Sequence, residues 1–280
     1  SSRQKPPFGI AQMGKSFRNE ITPGNFTFRT REFEQMEMEF FIPPEEDEKW
    51  YEYWKETRKN WYLMYGMRED HLRLREHEKS ELAHYAKACA DVEFLYPWGW
   101  DELEGIANRT NFDLNTHQEH SGKDLTYYNE QTKERYLPYV IEPAAGADRT
   151  TLAFLIDAYD EEVKENGETR VVLHFHPKLA PVKVAVFPLM KKDGLDELAH
   201  KIENDLRESF TTFYDQSGAI GRRYARQDEI GTPFCVTVDY DSKTEGTVTL
   251  RLRDSMEQKR VKIEDLEKVI REEIKNWKRV

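Results

Sequence analysis

Arginines and carboxylates crowd the first forty residues in a pattern that suits phosphate and ammonium chemistry. Arg3, Lys5, Lys15, Arg18, Arg29 and Arg31 precede residue 32 against a single acid, Glu20. Arginine stays charged and grips phosphate oxygens in pairs, so such a cluster fits an anionic ligand. Solvated surface cations are the plain alternative. Here, however, the arginines sit inside apolar alternation, and Pro23 and Gly24 shape the chain between them. Downstream, Phe33, Gln35, Glu37 and Glu39 share one face of an extended segment, with Glu34, Met36, Met38 and Phe40 on the other. Carboxylates are depleted from strands, so two on one face predict a polar cavity, with a solvent-facing sheet surface as the even alternative. Two histidine pairs, His117 with His120 and His174 with His176, could be metal ligands. No cysteine or acid at suitable spacing completes a zinc set, and structural or solvent-facing roles are favoured.

Elements must hold these groups. Strands are expected over 9–20 and 28–42, joined by the turn Thr22-Pro23-Gly24-Asn25. Phe8, Ile10 and Phe17 read as core strand residues, so the chain is expected to start inside a domain. An aromatic-rich helix is expected over 45–66 and a second, heavily charged helix over 69–90. Strands near 91–96 and 101–108, a polar irregular section with His117 and His120, an extended run at 136–142 and a helix at 151–162 follow. The charged, glycine-containing stretch 163–170 marks a boundary between domains 1–170 and 171–280. Beyond it, strands at 182–188, 211–214, 234–240 and 247–252 alternate with helices at 196–209, 219–229 and 263–277, predicting a mixed sheet covered by helices.

Composition narrows the class. The net charge of −11 argues against a protein that coats nucleic acid non-specifically. Fifteen Phe, 14 Tyr and 6 Trp can build a core, which argues against intrinsic disorder. No apolar run approaches the roughly 20 residues needed to cross a bilayer. Cys89 and Cys235 are far apart and have no neighbouring ligand pattern, so reduced thiols in a cytosolic protein are expected.

Four separated phrases then point to one family. Phe17-Arg18-Asn19-Glu20, followed by Arg29-Thr30-Arg31-Glu32-Phe33-Glu34-Gln35-Met36-Glu37, resembles motif 2 of the class II aminoacyl-tRNA synthetases. Glu142-Pro143-Ala144-Ala145-Gly146-Ala147-Asp148-Arg149 resembles their motif 3. Gly99 to Arg109 is similar to a signature of the dimeric glycine–tRNA ligases, and Gly221 to Pro233 resembles a class IIa anticodon-binding domain. The implied fold is α+β: a partial antiparallel-sheet catalytic domain followed by an α/β mixed-sheet anticodon-binding domain. Motif 1 and an Arg-Pro-Glu-Thr-Ala-Gln segment, both upstream in the family, have no counterpart in the sequence. The chain is therefore expected to be the C-terminal portion of a longer enzyme.

The resemblance implies roles. Arg18 would hold the α-phosphate of ATP and the attacking carboxylate, and Arg149 the far end of a bent triphosphate. Phe33 would stack on adenine, Glu20 would contact its amine, and Arg29 and Arg31 would flank the same site. Glu37 and Glu142 would bind the glycine ammonium, with Arg109 orienting it. Ala144 stands where the family usually has a serine that crowds the α-carbon. Mg²⁺ is expected with ATP, with Glu142 a candidate ligand and Glu130 or Glu134 as others. The implied partners are glycine, tRNA(Gly) and a second copy joined through the upstream region, in the cytoplasm and away from membranes. In the last domain Arg222, Arg223, Arg226, Arg251 and Arg253 could offer phosphate and base contacts, with Phe234 and Tyr240 as stacking faces. For each residue taken singly an ordinary surface position is the favoured reading, and the expectation rests on the domain. A non-catalytic, synthetase-like nucleic-acid-binding accessory protein is the competing reading. The co-occurrence of the ATP arginines argues against it.

Overall fold

The computed structural model describes residues 4–164 and 167–279. Arg3 of the basic cluster and residues 165–166 of the expected boundary stretch lie outside the described residues. The chain divides into two compact units, Ser1–Asp157 and Ala158–Val280.

In the first unit β1 (Phe8–Phe17) and β2 (Glu32–Ile42) precede helix α1 (Asp47–Met64), then β3 (Leu72–Glu76), β4 (Ala88–Tyr96) and β5 (Gly99–Thr110). Helix α2 (Phe112–Ser121), the short hairpin β6 (Tyr127–Tyr128) and β7 (Arg135–Tyr136), β8 (Tyr139–Gly146) and α3 (Ala147–Ala158) complete it. Six strands form one antiparallel sheet in the order β1-β2-β8-β5-β4-β3. Alternation sends Val92, Ile106 and Ile141 to one side of the sheet, where all three are fully buried. Each such side chain contributes on the order of 2 kcal/mol. Helix α1 packs against β5 and β8. It also brings polar groups: Arg58 Nε donates to Glu104 at 2.6 Å and the Tyr62 hydroxyl at 2.7 Å, satisfying a carboxylate that is 2% exposed. At the helix start, buried Asp47 accepts from Lys87 Nζ (2.7 Å) and Asn108 (2.8 Å), an acid placed favourably at the positive end of the helix.

Several elements differ from expectation. The segment 69–90 is not a helix: Leu72 and Leu74 alternate with Arg73 and Arg75, so β3 pairs with β4, and turns follow to residue 87. The polar section with His117 and His120 is helix α2. An Asn115–Glu119 bond at 2.7 Å links successive turns, and Gly122 ends the helix in the left-handed conformation. Helix α3 stops at Ala158, and 159–163 is a strand. Ile10 and Phe17, expected in the core, are 58% and 71% exposed because β1 is an edge strand with β2 as its neighbour. β2 starts at Glu32 rather than 28 because residues 24–29 close on themselves. Gly24 and Arg29 exchange backbone bonds, Asn25 and Phe26 take positive φ, and Phe28 tucks under Tyr96 and Trp98.

The second unit begins with the hairpin β9 (Tyr159–Val163) and β10 (Thr169–Leu173). β11 (Val184–Pro188), α4 (Leu195–Arg207), β12 (Thr212–Tyr214), α5 (Ile220–Glu229) and β13 (Phe234–Val238) follow. α6 (Tyr240–Glu245), β14 (Thr247–Leu252), β15 (Gln258–Lys262) and α7 (Leu266–Asn276) complete it. The sheet order is β12-β11-β13-β14-β15, parallel across the first three strands and antiparallel beyond, which is the expected mixed sheet. Leu195, Ile202, Leu266 and Ile270 pack on one face, while Ile220 and Tyr224 of α5 pack against Phe187 and Cys235 on the other. The short helix α6 and strand β15 were not read from the sequence.

Glu104→Ala leaves Arg58 and Tyr62 without their buried acceptor. The expected cost is about 3–5 kcal/mol, read as a shift in the urea transition of the first unit. A loss under about 1 kcal/mol, the value of an exposed pair, would mean that apolar burial alone holds α1 on the sheet.

Candidate active site

The face of the first sheet opposite α1 is organised by strand register. Glu37 of β2 pairs with Ala144 of β8, Ala144 with Gly105 of β5, and Gly105 with Asp91 of β4. The adjacent row carries Glu142, Ala107 and Cys89, again on consecutive strands. Glu39 joins this row through a hydrogen bond to Glu142, and His77 joins its other end, its backbone N–H donating to the Cys89 carbonyl at 2.9 Å. Residues two apart on a strand share a face, so both rows project the same way. Acids stand at one end, His77, Cys89 and Asp91 at the other, and the small residues Gly105, Ala107 and Ala144 lie between. Above these rows lies a cleft of about 230 Å³ whose lining includes Arg18, Glu20, Arg29, Phe33, Glu142, Ala144 and Arg149.

The acidic end carries surplus negative charge. Carboxylate oxygens of Glu37, Glu39 and Glu142 lie within 4.8 Å of one another, and Gln35 Nε2 donates to Glu37 at 2.6 Å. The nearby cation is Arg109, 3.1 Å from Glu142. It is shared with Asp113 through bonds of 2.6 and 2.9 Å and sits 4.0 Å over the Tyr85 ring. Burial, opposed by Arg109 and reinforced by Glu39 and Glu37, pushes the Glu142 carboxyl up to about 8. Burial also raises Glu39, against the hydrogen bond from Glu142. Burial and mutual repulsion thus favour the neutral form of this pair, and an added cation would favour the ionised one.

The phosphate-binding candidates meet at the mouth because distant segments are tied together. The Glu34 backbone N–H donates to Asp148 at 2.7 Å, and Arg149 Nε donates to the Phe28 carbonyl at 3.2 Å. Arg149 also donates to the Glu102 carbonyl (3.0 Å), lies 3.4 Å from its carboxylate, and stacks 4.2 Å over Phe28. Arg18 sits 5.6 Å over Phe33, and Arg29 is 3.4 Å from Glu20. Arg31 is absent from the cleft lining. Its Nε donates to the Glu20 carbonyl at 2.9 Å, holding the turn that presents Glu20. Glu37 and Arg109 stand at the acidic end rather than in the lining, and exposed Glu130 and Glu134 flank the β6–β7 turn away from it. Lys15 is spent on Glu32 at the exposed edge.

The cleft also holds Glu102, Tyr85, His77 and Asp91, to which the sequence gives no role, and Cys89, which it marks only as a reduced thiol without a ligand pattern. The i, i+2 spacing of Cys89 and Asp91 was a usable signal. The charged composition of 69–90, which reads as a helix, masks it by placing His77 and Cys89 in one helix.

The arginines of the second unit need correction. Arg223, Arg251 and Arg253 are buried at 4%, 5% and 1% exposure. Arg251 and Arg170 grip Asp228 at 2.8–3.0 Å, and Arg253 donates to the Gly231 and Phe175 carbonyls at 2.7 Å. Arg223 donates to the Pro188 carbonyl at 2.6 Å. These three serve packing, not an exposed phosphate. Arg226 is paired with Asp215, while Arg222 is exposed. Phe234 is 3% exposed and cannot stack on a base; Tyr240 is 44% exposed, its hydroxyl donating to Asp193. His174 is held by Asp254 (2.7 Å) and Glu162 (3.0 Å), and burial lowers His176 to about 4.

Residues 183–273 match the anticodon binding domain family. The chain is 59% identical over 275 residues to the glycine–tRNA ligase of Caldanaerobacter subterraneus, covering 98% of this chain and 59% of that protein. It is 59% identical over 272 residues to that of Geobacillus kaustophilus (97% and 59%), and 58% identical over 284 residues to that of Treponema denticola (100% and 63%). The chain thus spans about three fifths of the length of these relatives. Among the described residues no helix is long and apolar enough to cross a membrane. Over almost its whole length the chain is similar to about three fifths of the glycine–tRNA ligases of these organisms, and its second unit carries the match to the anticodon binding domain family.

Proposed function

We propose that the first unit contributes the ATP- and glycine-binding floor of a glycine–tRNA ligase, and that the second contributes its tRNA(Gly)-reading module. One observation carries this reading: a cleft lined by Arg18, Arg29 and Arg149 also holds Glu142, which clusters with Glu37 and Glu39 as a half-buried group of three carboxylates. In the reaction the glycine carboxylate attacks the α-phosphate of MgATP, pyrophosphate leaves, and the glycyl group then passes to tRNA. Such chemistry asks the protein mainly to position reactants and to neutralise charge on phosphate oxygens. Arg18 holds the α-phosphate and the attacking carboxylate. Arg149, with Arg29 beside the same cleft, holds the far phosphates, and Phe33 stacks on the adenine whose amine Glu20 receives. Arg31 fixes the turn.

Glu37, Glu39 and Glu142 suit an ammonium, which can donate one hydrogen bond to each of three acceptors. They suit Mg²⁺ less well. That ion keeps a rigid octahedral shell and several waters, whereas Glu142 is already committed to Arg109 and Glu39. Mg²⁺ therefore enters with the nucleotide and is held chiefly by phosphate, and Glu142 is assigned to glycine. Gly105, Ala107 and the Ala144 methyl set the space above the sheet, and the surrounding carboxylates make it inhospitable to an apolar side chain. A cytoplasmic location and a homodimer formed through sequence outside residues 1–280 complete the reading.

The test is glycine-dependent ATP–pyrophosphate exchange by this chain and by a protein extended upstream to the relatives' length. Absence of exchange in the extended protein overturns the proposal. Arg18→Ala or Arg149→Ala should lower kcat for exchange by roughly 10²–10³-fold; wild-type exchange in both would remove the arginines from the phosphate site. Removing residues 159–280 should spare exchange and depress charging of tRNA(Gly). Equal loss of both activities would contradict the division of labour between the units.

A further inference from the structure

We propose that His77, Cys89 and Asp91 form a binding site for a zinc-class divalent metal ion in the floor of the cleft. Cys89 and Asp91 are two apart on β4 and therefore project from the same face. His77 follows β3 directly, and its backbone bond to Cys89 fixes it beside that strand. The imidazole Nε2 is 2.7 Å from an Asp91 oxygen, and ligand atoms of all three residues lie within 4.8 Å of one another.

The next strand leaves room for an ion. Ala107 stands opposite Cys89 and Gly105 opposite Asp91. A β-carbon at Gly105 would lie 3.8 Å from an Asp91 oxygen, so a larger side chain would extend into this space. One thiolate, one imidazole and one carboxylate are a donor set that zinc and cobalt(II) favour over magnesium or calcium. Three protein ligands leave a fourth tetrahedral position open, and all three residues line the cleft. Binding exchanges metal-bound water for the side chains and sends the Cys89 S–H proton to solvent. A divalent ion supplies the charge that makes the thiolate available.

The site does not depend on the glycine–tRNA ligase reading, because its readout is metal binding rather than exchange. Metal-stripped 280-residue chain is titrated with Co²⁺ and followed by absorption. The expected result is one equivalent bound, with thiolate-to-cobalt charge-transfer absorption in the near ultraviolet and visible bands of tetrahedral intensity, both abolished by Zn²⁺. Cys89→Ser should remove the charge-transfer absorption and Cys235→Ser should leave it intact. His77→Gln keeps the thiol and should weaken Co²⁺ binding by roughly tenfold or more, with circular dichroism reporting the fold of each variant. No charge-transfer absorption in the wild-type chain, its survival in Cys89→Ser, or unchanged affinity in His77→Gln would overturn the proposal.

Discussion

Strand register in the first sheet decides what its open face can recognise. Two parallel rows cross β2, β8, β5 and β4, and the residue types along them are graded from acids through the small residues Ala144, Gly105 and Ala107 to Asp91 and Cys89. A slip of one residue in any of these pairings would turn that strand's contribution to the opposite face. The register is held from the other side of the sheet, where Val92, Ile106 and Ile141 are fully buried and Glu104 is clasped by Arg58 and Tyr62 of α1. Packing on one face thus specifies chemistry on the other.

Charge placement follows from that frame. Glu142 pairs with a guanidinium that is also claimed by Asp113, and Glu37 and Glu39 stand beside it, so carboxylates outnumber the cation at this end. Burial makes that shortage expensive, and it raises the Glu39 and Glu142 carboxyls toward their neutral forms. At the mouth the balance reverses. Arg149 is preorganised by two backbone carbonyls and an aromatic face, and Arg18 by Phe33. A ligand with an ammonium at one end and phosphate at the other would complement both ends at once.

Much of this was legible because local pattern and fold agree. Alternation from Phe33 to Glu39 placed the acids on one face, and the phrases around Arg18 and Arg149 marked segments that meet in the cleft. Legibility failed where charge density outweighed period. The run 69–90 reads as a charged helix by composition, but Leu72, Arg73, Leu74 and Arg75 alternate, and that strand brings His77 to Cys89. It failed again where arginine chemistry has two uses. Arg251 and Arg253 look like exposed phosphate contacts in sequence, yet Asp228 and backbone carbonyls bury them. Nothing in the spacing of Asp228 announces that pairing, which depends on where α5 and β14 lie in the folded unit. Edge position is equally silent in sequence, and it leaves Ile10 and Phe17 exposed.

We propose that glycine binding ionises the Glu39–Glu142 pair, its ammonium taking the place of a carboxyl proton. Calorimetry of glycine binding to the upstream-extended protein near pH 7, in buffers of different ionisation enthalpy, measures that exchange directly. The Glu142 carboxyl, pushed up to about 8, is mostly protonated there and becomes ionised when the ammonium arrives. The expected result is release of close to one proton per glycine, diminishing as pH rises through about 8, and a smaller release in Glu39→Gln, where a like charge has gone. A binding enthalpy independent of buffer across that range would contradict it.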